Sequence, residues 1–181
     1  YLQDTATFQK VVQRASIYAK QGLLMTFGVV PDRPEIGYGY LRSGAQLNEG
    51  IYELSEFVEK PDQKTAENYL STGSYLWNSG IFLVRADCYL TALSQHQPKI
   101  LDACERAMAG SKRDLDFIRP EAEAFISCPS DSIDYAVMEH TNKGAVAILD
   151  CGWNDVGNWS SLWEVGDGDK LGNVWHGDVV L

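Results

Sequence analysis

The sequence predicts an α/β fold of the doubly wound kind, and three observations carry that prediction. An amphipathic helical pattern at residues 8–19 runs without a linker into a buried-strand pattern at residues 23–30, the rhythm of a βαβ fold. A second strand pattern ends abruptly on Glu59, Lys60 and Pro61, at the kind of strand end where open α/β sheets bind ligands. Residues 86–126 then read as largely helical, a layer that covers a sheet.

In chain order, Phe8, Val11, Val12, Ala15 and Ala19 fall at i, i+3, i+4, i+7 spacing. Asp4 or Thr5 is the expected N-cap of this helix, and Gly22 stops it. Leu23 to Val30, ended by Pro31, reads as a buried strand of a parallel sheet. Two prolines, Pro31 and Pro34, open the loop that runs to Tyr40, which places Gly37 and Gly39 on either side of Tyr38. Glycine admits a ligand close to the backbone, and tyrosine offers a ring face and a hydroxyl. Ordinary turn packing is the competing reading. Ser43 to Glu49 is expected to be an exposed hairpin turn.

Residues 51–58 alternate as a strand does, and Pro61 stops the ladder because proline cannot donate to it. Glu59 and Lys60 therefore sit at the strand's C-terminal end, where a carboxylate can accept sugar hydroxyls and an ammonium can meet a phosphate. The plain alternative is a surface ion pair. Asp62 to Leu70 reads as a helix capped by Asp62 and closed by Gly73. Tyr75 to Val84 is a strand interrupted by Asn78, Ser79 and Gly80, which calls for a bulge or a close ligand.

Breaks at Pro98, Gly110 and Pro120 divide the covering layer. Ser132 to Glu139 opens a further helix with Asp134 in its first turn, and Ala145 to Leu149 is a strand. That strand runs into a glycine-rich, Trp-flanked turn carrying Asp155, and Asn158 or Ser160 caps a short helix through Val165. A carboxylate so placed suits Mg²⁺, which takes one or two carboxylates plus substrate phosphates. An Asx-turn is the alternative. Residues 167–169 read as a linker, and Gly172 to Leu181 as the start of a new strand.

Composition narrows the function. A chain of 181 residues, 45% apolar and 22% charged, can bury one sizeable core. A net charge of −10 argues against nucleic acid and anionic membranes as partners. A phosphate site on such a chain needs local Lys or Arg, or a divalent cation. Cys88, Cys104, Cys128 and Cys151 form no C-x-x-C pair and suit reduced thiols in a cytoplasmic protein. Tyr1 is no initiator methionine, so a longer natural chain is expected and the lack of a leader excludes nothing.

Five stretches occur in fixed order: Thr26-Phe-Gly-Val-Val-Pro with Gly37-Tyr-Gly-Tyr40, Phe57-Val-Glu-Lys-Pro61, Trp77-Asn-Ser-Gly-Ile-Phe82, Ser132-Ile-Asp-Tyr-Ala-Val-Met-Glu139, and Gly152-Trp-Asn-Asp-Val-Gly-Asn-Trp159. Together they resemble the bacterial mannose-1-phosphate guanylyltransferases over nearly the whole chain. The resemblance implies the nucleotidyltransferase fold, a Rossmann-like doubly wound mixed sheet. It also implies transfer of GMP from GTP to mannose 1-phosphate, giving GDP-mannose and pyrophosphate with Mg²⁺, as surface-polysaccharide synthesis requires. By matching position it sets Tyr38 and Gly39 against the sugar phosphate, Glu59 on the mannose hydroxyls and Lys60 on the sugar-side phosphate. Asn78 and Gly80 line the sugar pocket, and Asp155 supplies a carboxylate to the metal. Asp134 matches the motif as a substrate residue and equally suits a helix cap.

The family's glycine-rich triphosphate loop and its Asp-His segment are absent, and histidine stands at His140 where the family usually has lysine. The resemblance therefore implies a C-terminal, sugar-binding portion at 1–166, inactive alone, with 167–181 a linker and the start of a following segment. It is compatible with a homo-oligomer. A nucleotidyltransferase for another sugar 1-phosphate and a non-catalytic sugar-nucleotide-binding homologue are the competing readings.

Overall fold

The computed structural model describes residues 1–175 and 177–179. Its elements are α1 (Thr5–Lys20), β1 (Leu24–Val29), β2 (Tyr40–Asn48), β3 (Ile51–Val58), α2 (Gln63–Thr72), β4 (Tyr75–Leu83), α3 (Ala86–His96), α4 (Pro98–Ala109), β5 (Lys112–Asp114), β6 (Phe117–Arg119), α5 (Ala122–Ile126), a π-helical turn (Asp134–Met138), β7 (Gly144–Ile148) and α6 (Trp159–Glu164).

The centre is a mixed sheet. β1 pairs parallel with β7 on one side and antiparallel with β4 on the other. Alternation sorts its side chains into two cores. Met25 and Phe27 of β1, with Ala145 and Ala147 of β7, face Val11, Ala15 and Ala19 of α1. Leu24 and Val146 face the opposite way, onto Ala92 and Leu93 of α3 and onto Ala136, Val137 and Met138 of the π-helical turn. Helical cover on both faces is what the near-continuous apolar pattern of β1 demands.

The β2–β3 hairpin adds a closure that the sequence did not suggest. Its base pairs with β4 through Tyr40, Leu41 and Arg42, and its tip pairs with β7 through Ile51, Tyr52 and Glu53. The strands thereby close in the order β1–β4–β2–β3–β7. Three register shifts in the hairpin supply the bend this requires, since bulges sharpen local twist. Ser43 to Asn48, expected as a turn, is strand; the turn is confined to Glu49 and Gly50. The polar run misleads because most of it lies on an exposed face of the hairpin.

Local signals placed the helices well. Asp4 accepts from the Thr7 backbone N–H at 2.9 Å, Asp62 accepts from Thr65 N–H at 2.8 Å, and Asn158 accepts from Ser161 N–H at 2.9 Å. Gly73 ends α2 in the left-handed conformation. Three expectations need correction. The covering layer also contains the small β5–β6 hairpin, whose residues are all exposed and so lack an apolar alternation to announce them. The segment after Ser132 winds as a π-helical turn, with Glu139 N–H donating to Asp134 C=O at 3.0 Å. Three consecutive buried residues, Ala136 to Met138, fit one side of a wider turn better than one side of an α-helix. From residue 167 on, the described residues hold only the isolated bridge Gly168–Val174; the strand expected over 172–181 is not formed at 172–175 or 177–179, and His176, Val180 and Leu181 lie outside the described residues.

The sheet crossing at Gly28 tests the packing. A Cβ there would lie 2.7 Å from Leu76 Cδ1 and 2.9 Å from both Leu76 Cβ and Val146 Cγ2. Gly28→Ala should therefore destabilise the fold by about 1–3 kcal/mol, as overpacking does. Urea denaturation of the variant checks this, and an unshifted midpoint would mean that β1 and its neighbours part easily here.

Candidate functional site

The interruption in β4 is a bulge. Thr26 pairs with Phe82 while Gly28 pairs with Asn78, so β4 spends two more residues than β1 across the same interval. Gly80 lies within it at φ 70°, in the left-handed region that glycine occupies without a Cβ penalty. The bulge turns Asn78 into the interior, 9% exposed, with both polar atoms of its side chain hydrogen-bonded. Its Oδ1 accepts from Thr26 Oγ1 and from Gly80 N–H, both at 3.2 Å. Its Nδ2 donates to Asp134 Oδ1 at 3.1 Å, and its backbone N–H donates to Gly39 C=O at 2.7 Å.

Glu59 and Lys60 follow β3. Their charges pair at 2.9 Å, but unequally: the Glu59 side chain is 11% exposed and that of Lys60 61%. Glu59 lies under the Gly39 backbone, where a Cβ would fall 2.5 Å from its Oε2 and 3.2 Å from Asn78 Cβ. Its backbone N–H donates to Glu139 Oε1 at 3.3 Å, so the π-helical turn also steadies this strand end. The hydrogen bond from Lys60 to Glu59, and that residue's charge, hold the ammonium above its ordinary pKa, with Tyr135 and Asp134 adding smaller contributions. Lys60 adopts φ 48°, unusual outside glycine. Gly39, Glu59, Lys60, Asn78, Gly80 and Asp134 thus form one connected group.

Tyr38 and Asp155 belong to a second group. The Tyr38 ring meets Trp77 edge-on at 5.3 Å and Trp153 at 5.5 Å. Burial, and then the negative charges of Asp155 and Glu35, push its phenol above the ordinary pKa. Beside it opens a cavity of about 470 Å³, lined among others by Arg33, Tyr38, Trp77, Trp153, Asn154 and Glu164. Asp155 occupies the turn before Val156, whose φ is 51° and whose N–H donates to Asn154 Oδ1 at 2.8 Å. Among the described residues, no hydrogen bond or ion pair joins Asp155 to the Glu59–Asn78 group. Nor does any cluster of three or more His, Cys, Asp or Glu side chains there offer a complete metal site. A single carboxylate fits a divalent cation only as one share of a site that phosphates complete. The two groups meet in adjacent residues, since Trp77 and Asn78 point to opposite faces of β4.

Sequence reasoning missed Thr26, Arg33, Glu139, Trp153 and Glu164 as members of these groups. Thr26 in an otherwise apolar strand was the one available signal, a hydroxyl that needs a partner when buried. The His140 ring lies 5.8 Å from that of His96.

A family model described as nucleotidyl transferase matches residues 1–170. The chain is 50% identical over 182 residues to mannose-1-phosphate guanylyltransferase of Escherichia coli strain K12, covering 98% of this chain and 38% of that protein. It is 54% identical over 179 residues to xanthan biosynthesis protein XanB of Xanthomonas campestris pv. campestris strain B100, covering 99% and 38%. Among solved structures it superposes on mannose-1-phosphate geranyltransferase from Thermus thermophilus with a TM-score of 0.79 at 30% identity, covering 93% of this chain and 50% of that one. The chain therefore spans about two fifths of the length of the curated relatives it matches.

The Asn78 network makes a pH-dependent prediction. Asn78→Asp replaces a donor with a second carboxylate oxygen facing Asp134 Oδ1 across 3.1 Å. At pH 7 the variant should lose about 1.5–3 kcal/mol of stability. Mutual repulsion raises one of the two carboxyl pKa values above its unfolded value of about 4. The folded state then binds a proton that the unfolded chain does not, so part of the loss is recovered as pH falls from about 7 towards 5. Urea midpoints of variant and parent at both pH values provide the measurement. An equal loss at both would show that Asn78 does not face Asp134.

Proposed function

The chain belongs to the nucleotidyl transferase family, and from that premise we propose that it forms the sugar-phosphate side of a mannose-1-phosphate guanylyltransferase. In its full natural chain it serves the transfer of GMP from GTP to mannose 1-phosphate, yielding GDP-mannose and pyrophosphate. The names of the relatives support this reading, as does one geometric observation. Gly39 packs so closely on the nearly buried carboxylate of Glu59 that a Cβ would fall 2.5 Å from its Oε2, and an exposed ammonium, that of Lys60, lies 2.9 Å from the same carboxylate.

Each residue then has a task. Glu59 accepts hydrogen bonds from mannose hydroxyls, and Gly39 lets the sugar phosphate approach the backbone. Lys60 swings its exposed ammonium from Glu59 to the sugar-side phosphate as a compact point charge. Asn78, Gly80 and Asp134 form the wall of the sugar pocket, and Tyr38 packs beside the phosphate. The phosphate oxygen of mannose 1-phosphate attacks the α-phosphorus of GTP in line as the bond to pyrophosphate breaks. Such a transfer needs positioning and charge neutralisation more than acid–base chemistry. Asp155 would hold a divalent cation, Mg²⁺ in this reading, which when bound neutralises phosphate charge. The setting is the cytoplasm, where Cys88, Cys104, Cys128 and Cys151, all free, stay reduced. Among the described residues, no helix is long and apolar enough to cross a membrane.

Steady-state kinetics of the full natural chain test the proposal. Glu59→Gln keeps the shape and replaces an ionised acceptor with a neutral amide. Losing charge-assisted hydrogen bonds of about 1.5–3 kcal/mol should lower kcat/KM for mannose 1-phosphate roughly ten- to a hundredfold, with the GTP dependence unchanged. An unchanged kcat/KM returns Glu59 to a structural ion pair. Asp155→Asn should lower turnover by about a hundredfold or more while leaving the urea midpoint intact. Near-normal turnover at saturating Mg²⁺ would make Asp155 a turn residue only.

A further inference from the structure

We propose that Arg33 is a positioning residue that ties the loop carrying Gly39 to the loop carrying Asp155 and so fixes the two arms of the site relative to each other. The inference rests on the functional reading above. Its structural basis is a continuous chain of polar contacts. On one side, Arg33 Nε lies 3.7 Å from Glu35 Oε2, while Glu35 Oε1 accepts from Gly37 N–H at 3.1 Å, just before Tyr38 and Gly39. On the other, Arg33 Nη2 lies 3.7 Å from Glu164 Oε2, which accepts from Asn154 Nδ2 at 3.2 Å. Asn154 Oδ1 in turn accepts from Val156 N–H at 2.8 Å and holds that residue at φ 51°, next to Asp155. One guanidinium thus links the backbone of both loops through two carboxylates.

Other features explain why arginine is needed. The guanidinium lies over the Trp77 ring at 5.3 Å, in the same aromatic group that Tyr38 joins to Trp153. A planar fork can address carboxylates on different sides while its face stays on the ring; an ammonium cannot. Burial by itself would make the charged form of Arg33 less favourable, but Asp32, Glu164 and Glu35 more than offset it and the pKa rises. Three carboxylates already compensate this cation, which leaves little attraction for a ligand phosphate and argues for holding rather than for substrate binding. The pairs are half-exposed, Arg33 at 42% and Glu164 at 41%, so geometry should depend on them more than stability does.

Four variants of the full natural chain decide the matter: Arg33→Met, Arg33→Lys, Glu164→Gln and the double variant Arg33→Met with Glu164→Gln. Amide hydrogen exchange is read in the ligand-free protein. In Arg33→Met, exchange should quicken by about tenfold or more at both Gly37 and Val156 while the β1 amides stay protected. In the transfer reaction, kcat should fall by about tenfold or more, and the Mg²⁺ concentration for half-maximal rate should rise, with KM for mannose 1-phosphate changed far less. The double variant should be no worse than Arg33→Met alone, and Arg33→Lys should not rescue. Unchanged exchange at Val156, additive losses, or a lower urea midpoint with normal kcat and Mg²⁺ requirement each overturn the clamp. If the unaltered chain transfers no GMP, the functional reading fails on its own, and the exchange data still decide whether Arg33 joins the loops.

Discussion

A buried amide whose oxygen and nitrogen must both find hydrogen-bond partners organises this molecule. Leaving one such group unpaired costs about 1–3 kcal/mol, a large share of the stability of a typical domain. Asn78 avoids that cost only because several separate elements converge on it. Thr26 comes from β1, Gly80 from the bulge, Asp134 from the π-helical turn, and the Gly39 carbonyl from the loop before β2. Each arrangement has a local condition: a hydroxyl inside an apolar strand, a left-handed glycine, a turn wide enough to aim Asp134 inward. Shifting the register of β4 by one residue would break all of these contacts and turn Asn78 towards the aromatic side.

The same strand carries the second set of contacts on its other face. Trp77 donates its indole N–H to the Tyr40 hydroxyl at 3.1 Å, and Tyr40 packs on Tyr69 at 5.4 Å. Tyr69 stacks on Tyr75 at 3.8 Å, and Tyr75 donates to Glu56 at 2.7 Å. With Trp153 and Tyr38 at its other end, this aromatic row runs from the cavity to the flank of the β2–β3 hairpin. Burial, and then the bond to Glu56, raise the Tyr75 pKa and keep its hydroxyl a donor. A polar knot on one face of β4 and an aromatic row on the other hold the site to a sheet already covered by α1 and α3. Rigid support of this kind lets loops carry chemistry without drifting.

The parts legible in the sequence were those set by local rules. Caps at Asp4, Asp62 and Asn158, the stop at Gly73 and the two-faced core of β1 all follow from side-chain chemistry or periodicity within a few residues. The oddity of Asn78 was visible for the same reason, because an amide in an apolar strand needs a cause. Long-range arrangements were not legible. Nothing near Ser43 shows that β2 continues to Asn48, since that stretch is exposed and polar and pairs with β3 through a register that shifts three times. Nothing near Arg33 shows that Glu164, 131 positions on, meets it. The residues of the candidate site were proposed from motif order, but their division into two groups, on opposite faces of β4, required the fold.

The backbone at Lys60 separates folding from function most sharply. The chain must turn between β3 and α2, and the turn brings Asp62 to its capping position. Glycine would make that turn freely, whereas lysine at φ 48° costs about 1–3 kcal/mol. The ion pair with Glu59 cannot offset so much, because its lysine end is 61% exposed and water screens the attraction. Burying Glu59 at 11% exposure beneath Gly39 adds a desolvation cost instead of removing one. Each of these choices is poor for stability alone, and they fall on neighbouring residues at a strand end packed against Gly39. Local rules are broken in this way where a residue is kept for its chemistry, and the strain at Lys60 therefore supports a phosphate-facing ammonium over a decorative surface pair.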